Sequence, residues 1–265
     1  MRLRVRGITF DFGNTLIRVD RAGLGSVVTT TVDRLRSRGS IADSEAFLRA
    51  WVVERDRQFR LQVPRLREVD LSERFAHVFA RLRGAPVPAD DEEPWAEAEV
   101  AARSTADEVA WAVGVYSAAF VAAMSPVPDA EPTLREAAAR GFRLGVLSNW
   151  PHAPTIDRYL EARGWTAYLS VVVVSQRVGV IKPHPAMFAA AADGLGLPPG
   201  AMVHVGDDWA ADVVGARGAG WHSAYLRGHQ GDTPLPTSER DGSVEPDIEI
   251  DRLAELLPRL ELGRP

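Results

Sequence analysis

The chain has 265 residues, of which 46% are hydrophobic and 25% are charged, so it is long enough and apolar enough to bury a core. Its net charge of −5 argues against a nucleic-acid surface, which would need a basic stripe, although a local group of arginines could still bind a small anionic metabolite. The lack of cysteine excludes disulfides, thiolate catalysis and cysteine-based zinc sites.

The N-terminal half predicts one strand followed by a helical region. Residues 4–12 alternate, turn apolar and run into a turn, as expected for a strand. From about residue 20 to 124 the apolar spacing becomes helical. We predict a helix capped by Asp43, a second helix over 71–82 and a longer alanine-rich helical run over 94–120.

The remainder alternates helices with short apolar strands, a pattern typical of a parallel sheet covered on both faces. Gly228 to Glu245 is polar and predicts a mobile loop, and a last short strand and helix follow over 248–260. The predicted helices cover 132–140, 155–163, 185–195 and 210–219, and the predicted strands cover 142–147, 171–174, 202–205 and 221–226.

This order predicts an α/β fold: a Rossmann-like parallel-sheet core with a helical cap domain inserted after the first strand. We expect the core to comprise residues 1–17 and 128–265 and the cap to comprise 18–127. No run reaches the roughly 20 apolar residues of a membrane helix, and the apolar part of the N-terminus is short for a signal sequence. We therefore expect a cytoplasmic protein without a membrane segment; nothing here specifies an oligomeric state.

Lysine usage singles out one position. The 31 basic residues comprise 30 arginines and a single lysine, Lys182. Where arginine serves at every site that needs only a cation, the one retained lysine marks a place where a compact ammonium and a broad guanidinium are not interchangeable.

Polar side chains follow four of the predicted strands. Because open parallel sheets bind ligands at the carboxyl ends of their strands, we expect these side chains to meet. Two carboxylates from different strands suit Mg²⁺, a carboxylate can attack as a nucleophile, and a hydroxyl and an ammonium can hold phosphoryl oxygens. The residues concerned are Asp11, Gly13 and Asn14 after the first strand, Ser148 and Asn149 after the second, Lys182 beyond the third, and Asp207, Asp208 and Asp212 after the fourth.

These residues resemble the four motifs of the haloacid dehalogenase (HAD) superfamily. The motifs are Asp11 to Leu16, Leu147-Ser148-Asn149, Lys182-Pro183 and Gly206-Asp207-Asp208 with Asp212. Their order and spacing also fit, since the gap after the first motif has room for a helical cap. The resemblance covers the whole chain and implies a Mg²⁺-dependent hydrolase acting on a small phosphorylated or anionic metabolite.

The resemblance also implies a role for each residue. Asp11 and Lys182 would be catalytic, with Asp11 as the nucleophile that forms an aspartyl-phosphate. Asn14, Ser148 and Asn149 would bind the substrate. The metal would be held by Asp11, the Gly13 carbonyl, Asp207, Asp208 and Asp212. Asp207 would ligate it directly, and Asp208 or Asp212 would ligate it or orient its waters.

Gly13 departs from the pattern. The phosphatases of the superfamily carry a second aspartate at this position, which protonates the leaving oxygen and then activates water. General acid–base help contributes about 10²–10⁴-fold. We therefore expect a phosphatase that is slow or uses a substitute acid such as His152. The alternatives are a non-catalytic protein that binds phosphate and metal, and a carbon–halogen hydrolase that retains a metal site.

Overall fold

The computed structural model describes residues 2–90, 93–227 and 233–264. Its contacts divide the chain into two compact units, an α/β unit of Met1–Arg21 and Met124–Pro265 and a helical unit of Ala22–Ala123. These boundaries lie four residues from the predicted ones at each junction. The α/β unit gains those residues because Ile17–Arg18 and Ser125–Pro126 pair with each other as two short antiparallel strands.

Within its described residues, the α/β unit contains one six-stranded sheet and two short strand pairs. In chain order the strands are β1 Leu3–Val5, β2 Gly7–Phe10, β3 Ile17–Arg18, β4 Ser125–Pro126, β5 Arg143–Ser148, β6 Val171–Val174, β7 Met202–Gly206, β8 His222–Leu226, β9 Ile248–Ile250 and β10 Leu260–Leu262. The six-stranded sheet has the order β6-β5-β2-β7-β8-β9, and all of its neighbouring strands are parallel. The predicted α/β fold with a parallel sheet is confirmed.

Strand register fixes where the site lies. The last residue of β2, Phe10, pairs with Val146 of β5 on one side and Val205 of β7 on the other. The next residue in the chain is Asp11, so its side chain leaves the sheet at the carboxyl edge, beside the residues that follow β5 and β7. Every residue of β2 and β7 is buried, as apolar strands covered on both faces should be.

The described helices, in chain order, are α1 Arg21–Arg38, α2 Ser44–Gln62, α3 Leu71–Leu82, α4 Glu97–Ala101, α5 Ala106–Ala123, α6 Ala130–Ala139, α7 Ala153–Ala162, α8 Ser175–Val178, α9 Pro185–Leu195 and α10 Gly215–Gly218. A π-helical segment, Trp209–Val214, precedes α10. Helices α6, α7 and α9 follow the predicted alternation with the strands, whereas α8 was not predicted and the helix predicted over 210–219 is divided into the π-helical segment and α10. Helix α3 has the predicted bounds, and Asp43 caps α2 by accepting hydrogen bonds from the backbone of Glu45 and Ala46.

Two local predictions were wrong for identifiable reasons. The helical run predicted over 94–120 is interrupted between α4 and α5, because the Ser104 hydroxyl bonds back to Val100 and the Thr105 hydroxyl accepts from the Glu108 backbone, starting a new helix. The final predicted helix is replaced by two 3-10 turns and β10, and Pro258 lies in the second turn, where it cannot continue an α-helix.

The helical unit has its own apolar core, in which Phe47, Trp51 and Phe75 pack together. Helix α5 packs against α3 in this unit. It is the one described helix whose 18-residue length and mean hydropathy of 1.2 would also allow it to cross a membrane, although the core helix of a soluble protein meets the same test.

Candidate active site

Lys182 connects the strand ends. Its Nζ donates hydrogen bonds to Asp11 Oδ1 at 2.8 Å, Asp212 Oδ1 at 2.7 Å and the Leu147 carbonyl at 2.7 Å. Only 1% of its side-chain surface is exposed, compared with 13% for Asp11. The only lysine of the chain thus lies between the carboxylate that follows β2 and a second one beyond β7.

Asn149 fixes the backbone of this lysine. Its Oδ1 accepts from the Lys182 amide at 2.7 Å, and its Nδ2 donates to the Lys182 carbonyl at 3.1 Å. Both ends of the Asn149 amide are therefore used within the protein. Ser148 is the buried last residue of β5 and pairs with Val174 of β6, one residue from Asn149.

His204 is a member of this cluster that sequence reasoning missed. It lies in β7, 1% exposed, with Nε2 3.0 Å from Asp212 Oδ1 and Nδ1 2.9 Å from the Thr9 hydroxyl. Since the three protons of Lys182 Nζ serve Asp11, Asp212 and Leu147, we assign Nε2–H of His204 as a donor to Asp212. The available signal was a histidine within an otherwise apolar strand.

Three carboxylates lie close together here. One ligand atom from each of Asp11, Asp207 and Asp212 lies within 4.8 Å of the others. Burial and the neighbouring charge of Asp11 raise the pKa of Asp207 well above its usual value. Burial raises the pKa of Asp11 to about 6, against the opposing effect of Lys182. Thus one ammonium faces three crowded carboxylates.

The charges of Lys182 and Asp212 stabilise each other. Burial disfavours the ammonium, but Asp11 and Asp212 outweigh that cost and raise the pKa of Lys182 above its usual value. Burial likewise works against the charged form of Asp212, but the charge of Lys182 and the hydrogen bond from His204 together lower its pKa. The pair is therefore charged at neutral pH.

Asp208 does not lie in the carboxylate group. Its Oδ1 accepts from the Ala211 backbone at 2.7 Å and from the Ser238 hydroxyl at 2.8 Å, and its Oδ2 accepts from the Ser238 backbone at 2.7 Å. Asp208 thus caps the π-helical segment and holds residue 238. Among its neighbours, Asp207 accepts from the Thr15 hydroxyl at 3.3 Å.

The turn after β2 is closed by Asn14. This residue has a left-handed backbone with φ of 56°, a conformation that asparagine tolerates better than most residues. Its Oδ1 accepts from the Val19 backbone at 3.3 Å, and its Nδ2 donates to the Thr233 hydroxyl at 2.9 Å. Asn14 therefore lies at the site but is bonded to other parts of the protein.

Gly13, where the resemblance leads us to expect an aspartate in a phosphatase, lies against apolar side chains. A Cβ atom on Gly13 would lie 2.8 Å from Cδ1 of Leu235 and 3.6 Å from the Trp150 ring. His152, the substitute acid considered from the sequence, lies at the start of α7 with its Nδ1 2.8 Å from the Thr155 hydroxyl.

The loop predicted over 228–245 is only partly within the described residues, since 228–232 lie outside them. From Thr233 onward the chain has no helix or strand until β9, as predicted, but it is bonded to Asn14, Asp208 and Trp209. These contacts could not be expected from the sequence, and the mobility of this loop stays a prediction.

The four motifs predicted an α/β sheet with several charged side chains at its strand ends. The structure has such a sheet, and at its strand ends lie the candidate nucleophile Asp11, a buried ammonium and further carboxylates. The family model for haloacid dehalogenase-like hydrolases matches residues 5–220, and the chain belongs to this family.

Comparisons with individual proteins agree with membership of this family. Glyceraldehyde 3-phosphate phosphatase of Methanopyrus kandleri is 35% identical over 149 residues, which are 56% of this chain and 62% of that protein. Phosphoserine phosphatase of Thermus thermophilus is 34% identical over 131 residues, 49% of each protein. The chain spans less than two thirds of the length of these curated relatives. The structure of a HAD phosphatase from Thermococcus onnurineus is 21% identical, covers 98% of this chain and all of the other, and has a TM-score of 0.60, which shows the shared fold.

Proposed function

We propose that this chain is a Mg²⁺-dependent phosphatase that hydrolyses a small phosphate monoester through a phosphorylated Asp11. The observation that carries the proposal is the contact between the Asp11 carboxylate and the buried Lys182 ammonium at 2.8 Å, beside two further carboxylates at the edge of the sheet. The similarity to phosphatases supports a phosphoryl substrate.

The donor set fits Mg²⁺. Asp11, Asp207 and Asp212 offer hard carboxylate oxygens within 4.8 Å of one another, and a divalent cation would offset their mutual repulsion. We assign these three residues and the Gly13 carbonyl as the groups that would hold the ion. When bound, Mg²⁺ supplies positive charge that lowers the repulsion between an anionic nucleophile and an anionic phosphoryl group.

The residues of the chain then account for the chemistry. An oxygen of Asp11 attacks phosphorus, and the bond to the leaving oxygen breaks with its electron pair on that oxygen. Lys182 keeps the Asp11 carboxylate oriented and stabilises the negative charge on the phosphoryl oxygens, together with Ser148. Water then attacks the phosphorus of phospho-Asp11, and the breaking bond returns its electron pair to the carboxylate.

The direct test is a screen of small phosphorylated metabolites for phosphate release, with Mg²⁺ and with a chelator. We expect release that requires Mg²⁺ for at least one substrate. Phosphate and metal binding without turnover would instead identify a binding protein. Halide release from a haloacid without added metal would identify a carbon–halogen hydrolase. A cytoplasmic location is part of the proposal, and cell fractionation would test it.

Metal affinity distinguishes the two consecutive aspartates. We expect Asp207→Asn to weaken Mg²⁺ binding by more than about 100-fold and Asp208→Asn by less, since groups beyond the ligands typically contribute about 10–100-fold. The reason is that Asp207 lies within the carboxylate group, whereas both oxygens of Asp208 accept hydrogen bonds from Ala211 and Ser238. Calorimetric titration of both variants measures the difference, and the reverse ranking would contradict this assignment.

A further inference from the structure

Residues 233–243, which we call the strap, lie along the carboxyl edge of the sheet. Ser238 is bonded to Asp208 through its backbone and its hydroxyl, and this hydroxyl also accepts from the Ala210 backbone at 2.6 Å. The Asp241 carboxylate accepts from the Trp209 indole at 2.9 Å. Together with the bond from Asn14 to Thr233, these contacts attach the strap to the turns after β2 and β7.

Leu235 is the residue of the strap that reaches Gly13. The three atoms nearest to a Cβ built on Gly13 are carbons of Leu235, Trp150 and Val19, at 2.8, 3.6 and 4.0 Å. The φ of Gly13 is outside the left-handed region, so the backbone itself would accept a side chain. A side chain at position 13 would therefore require Cδ1 of Leu235, the far end of a flexible side chain, to move aside.

This packing changes the chemistry of the leaving-group side. In the predicted phosphatase pattern, position 13 carries the acid that protonates the leaving oxygen. Here carbon atoms of Leu235 and Trp150 surround that position. A leaving group that departs there receives no proton from residue 13, and an apolar group can pack against the leucine and the indole.

We propose that the strap makes this an apolar leaving-group subsite, with Leu235 as its specificity-determining residue, so that the enzyme prefers aryl and acyl phosphates over alkyl phosphates. This proposal rests on the proposed phosphatase function. Asp11 attacks phosphorus, and the P–O bond breaks with its electron pair leaving as a phenolate or carboxylate that needs no proton. Water then cleaves phospho-Asp11; one of its protons goes to solvent, and the rest of it remains in the released phosphate.

The first experiment measures kcat/KM for a series of substrates with increasingly basic leaving groups: acetyl phosphate, p-nitrophenyl phosphate, phenyl phosphate and an alkyl phosphate. We expect a steep fall across the series, with the alkyl phosphate lower than the aryl phosphates by about the 10²–10⁴-fold that general acid catalysis supplies. A flat profile would overturn the proposal.

The second experiment replaces both partners of the contact. Gly13→Asp alone is expected to gain less on the alkyl phosphate than the double variant, because Cδ1 of Leu235 must move to make room for the new Cβ and its carbon atoms still line the site. Gly13→Asp with Leu235→Ala should gain more than the two single changes predict together, since the residues touch. Gly13→Ala with Leu235→Ala is the matched control, which adds the same Cβ without an acid and should leave the slope steep. Equal gains in this control and in the aspartate variant would overturn the role of the acid.

The two levels of the proposal fail separately. If no phosphate is released from any substrate of the series, or if release is independent of Asp11, the phosphatase function fails. If release depends on Asp11 and Mg²⁺ but Leu235→Ala leaves the preference for aryl over alkyl phosphates unchanged at matched leaving-group basicity, only the subsite assignment fails. We expect this variant to lose selectivity for aryl groups, because the packing surface is gone, while keeping the steep dependence on basicity.

Discussion

Asp11→Asn is expected to abolish phosphate release, with a loss on the order of 10⁴-fold or more, within the range seen when other enzymes lose a catalytic nucleophile. The amide has nearly the shape of the carboxylate but cannot attack phosphorus. It also removes one of the three carboxylate groups available to the metal. The decisive measurement is phosphate release at saturating Mg²⁺.

The fold of this variant should survive. Burial already raises the pKa of Asp11 to about 6, so a neutral side chain is tolerated better here than at an exposed carboxylate. Lys182 keeps its bonds to Asp212 and the Leu147 carbonyl. A Tm close to wild type would therefore accompany the loss of turnover.

A matched control is Asp157→Asn, at an aspartate that is 42% exposed and paired with Arg177. The same substitution there should leave turnover unchanged, because an exposed ion pair contributes little. Should Asp11→Asn keep a substantial fraction of wild-type turnover, Asp11 is not the nucleophile.

The parallel sheet and the positions of Asp11 and Lys182 in the site could be predicted, because each is indicated by a short stretch of sequence or by composition. Apolar runs with strand spacing gave the parallel sheet, and the position of Asp11 after β2 followed from the strand end. Lys182 was identified by its rarity in the composition, and the structure places it 2.8 Å from Asp11. These inferences need only a short window of sequence and the rule that parallel strands end at one edge.

The rest depends on contacts between distant parts of the chain. Nothing near Gly13 in sequence indicates that Leu235 would pack against it. Likewise, Asp207 and Asp208 are adjacent in sequence, and the distant Ser238, which is bonded to Asp208, helps to give them different environments. His204 was passed over because a single polar residue in a buried strand does not disclose its partner.

Lys182→Arg is expected to lower turnover by at least about 10²–10³-fold, the typical cost of losing one group that stabilises transition-state charge. The substitution preserves the positive charge at position 182, so the loss of turnover would come from the different shape of the guanidinium group. The Nζ atom makes three bonds of 2.7–2.8 Å, to Asp11, Asp212 and Leu147, in a pocket with His204 Nε2 at 3.4 Å. A planar guanidinium has a wider donor fork and cannot reproduce three bonds that converge on one atom.

Steric strain has to be separated from lost chemistry. Forcing a larger side chain into a packed site typically costs about 1–3 kcal/mol of stability, so Tm is measured beside turnover. Lys182→Met, which removes the charge, is the second variant: two buried carboxylates would then lack their cation, and turnover should fall at least as far. Loss of turnover in both variants, with near-UV circular dichroism like that of wild type, would locate the defect in the site.

The reverse exchange provides the control. Arg177→Lys replaces an arginine that is 46% exposed and bonded to Asp157, where either cation has room. We expect full turnover in this variant, because an open site does not distinguish a guanidinium from an ammonium. If Lys182→Arg is equally active, the buried ammonium is not shape-selective. The single lysine would then be an accident of composition. Catalysis would require only a positive charge next to Asp11.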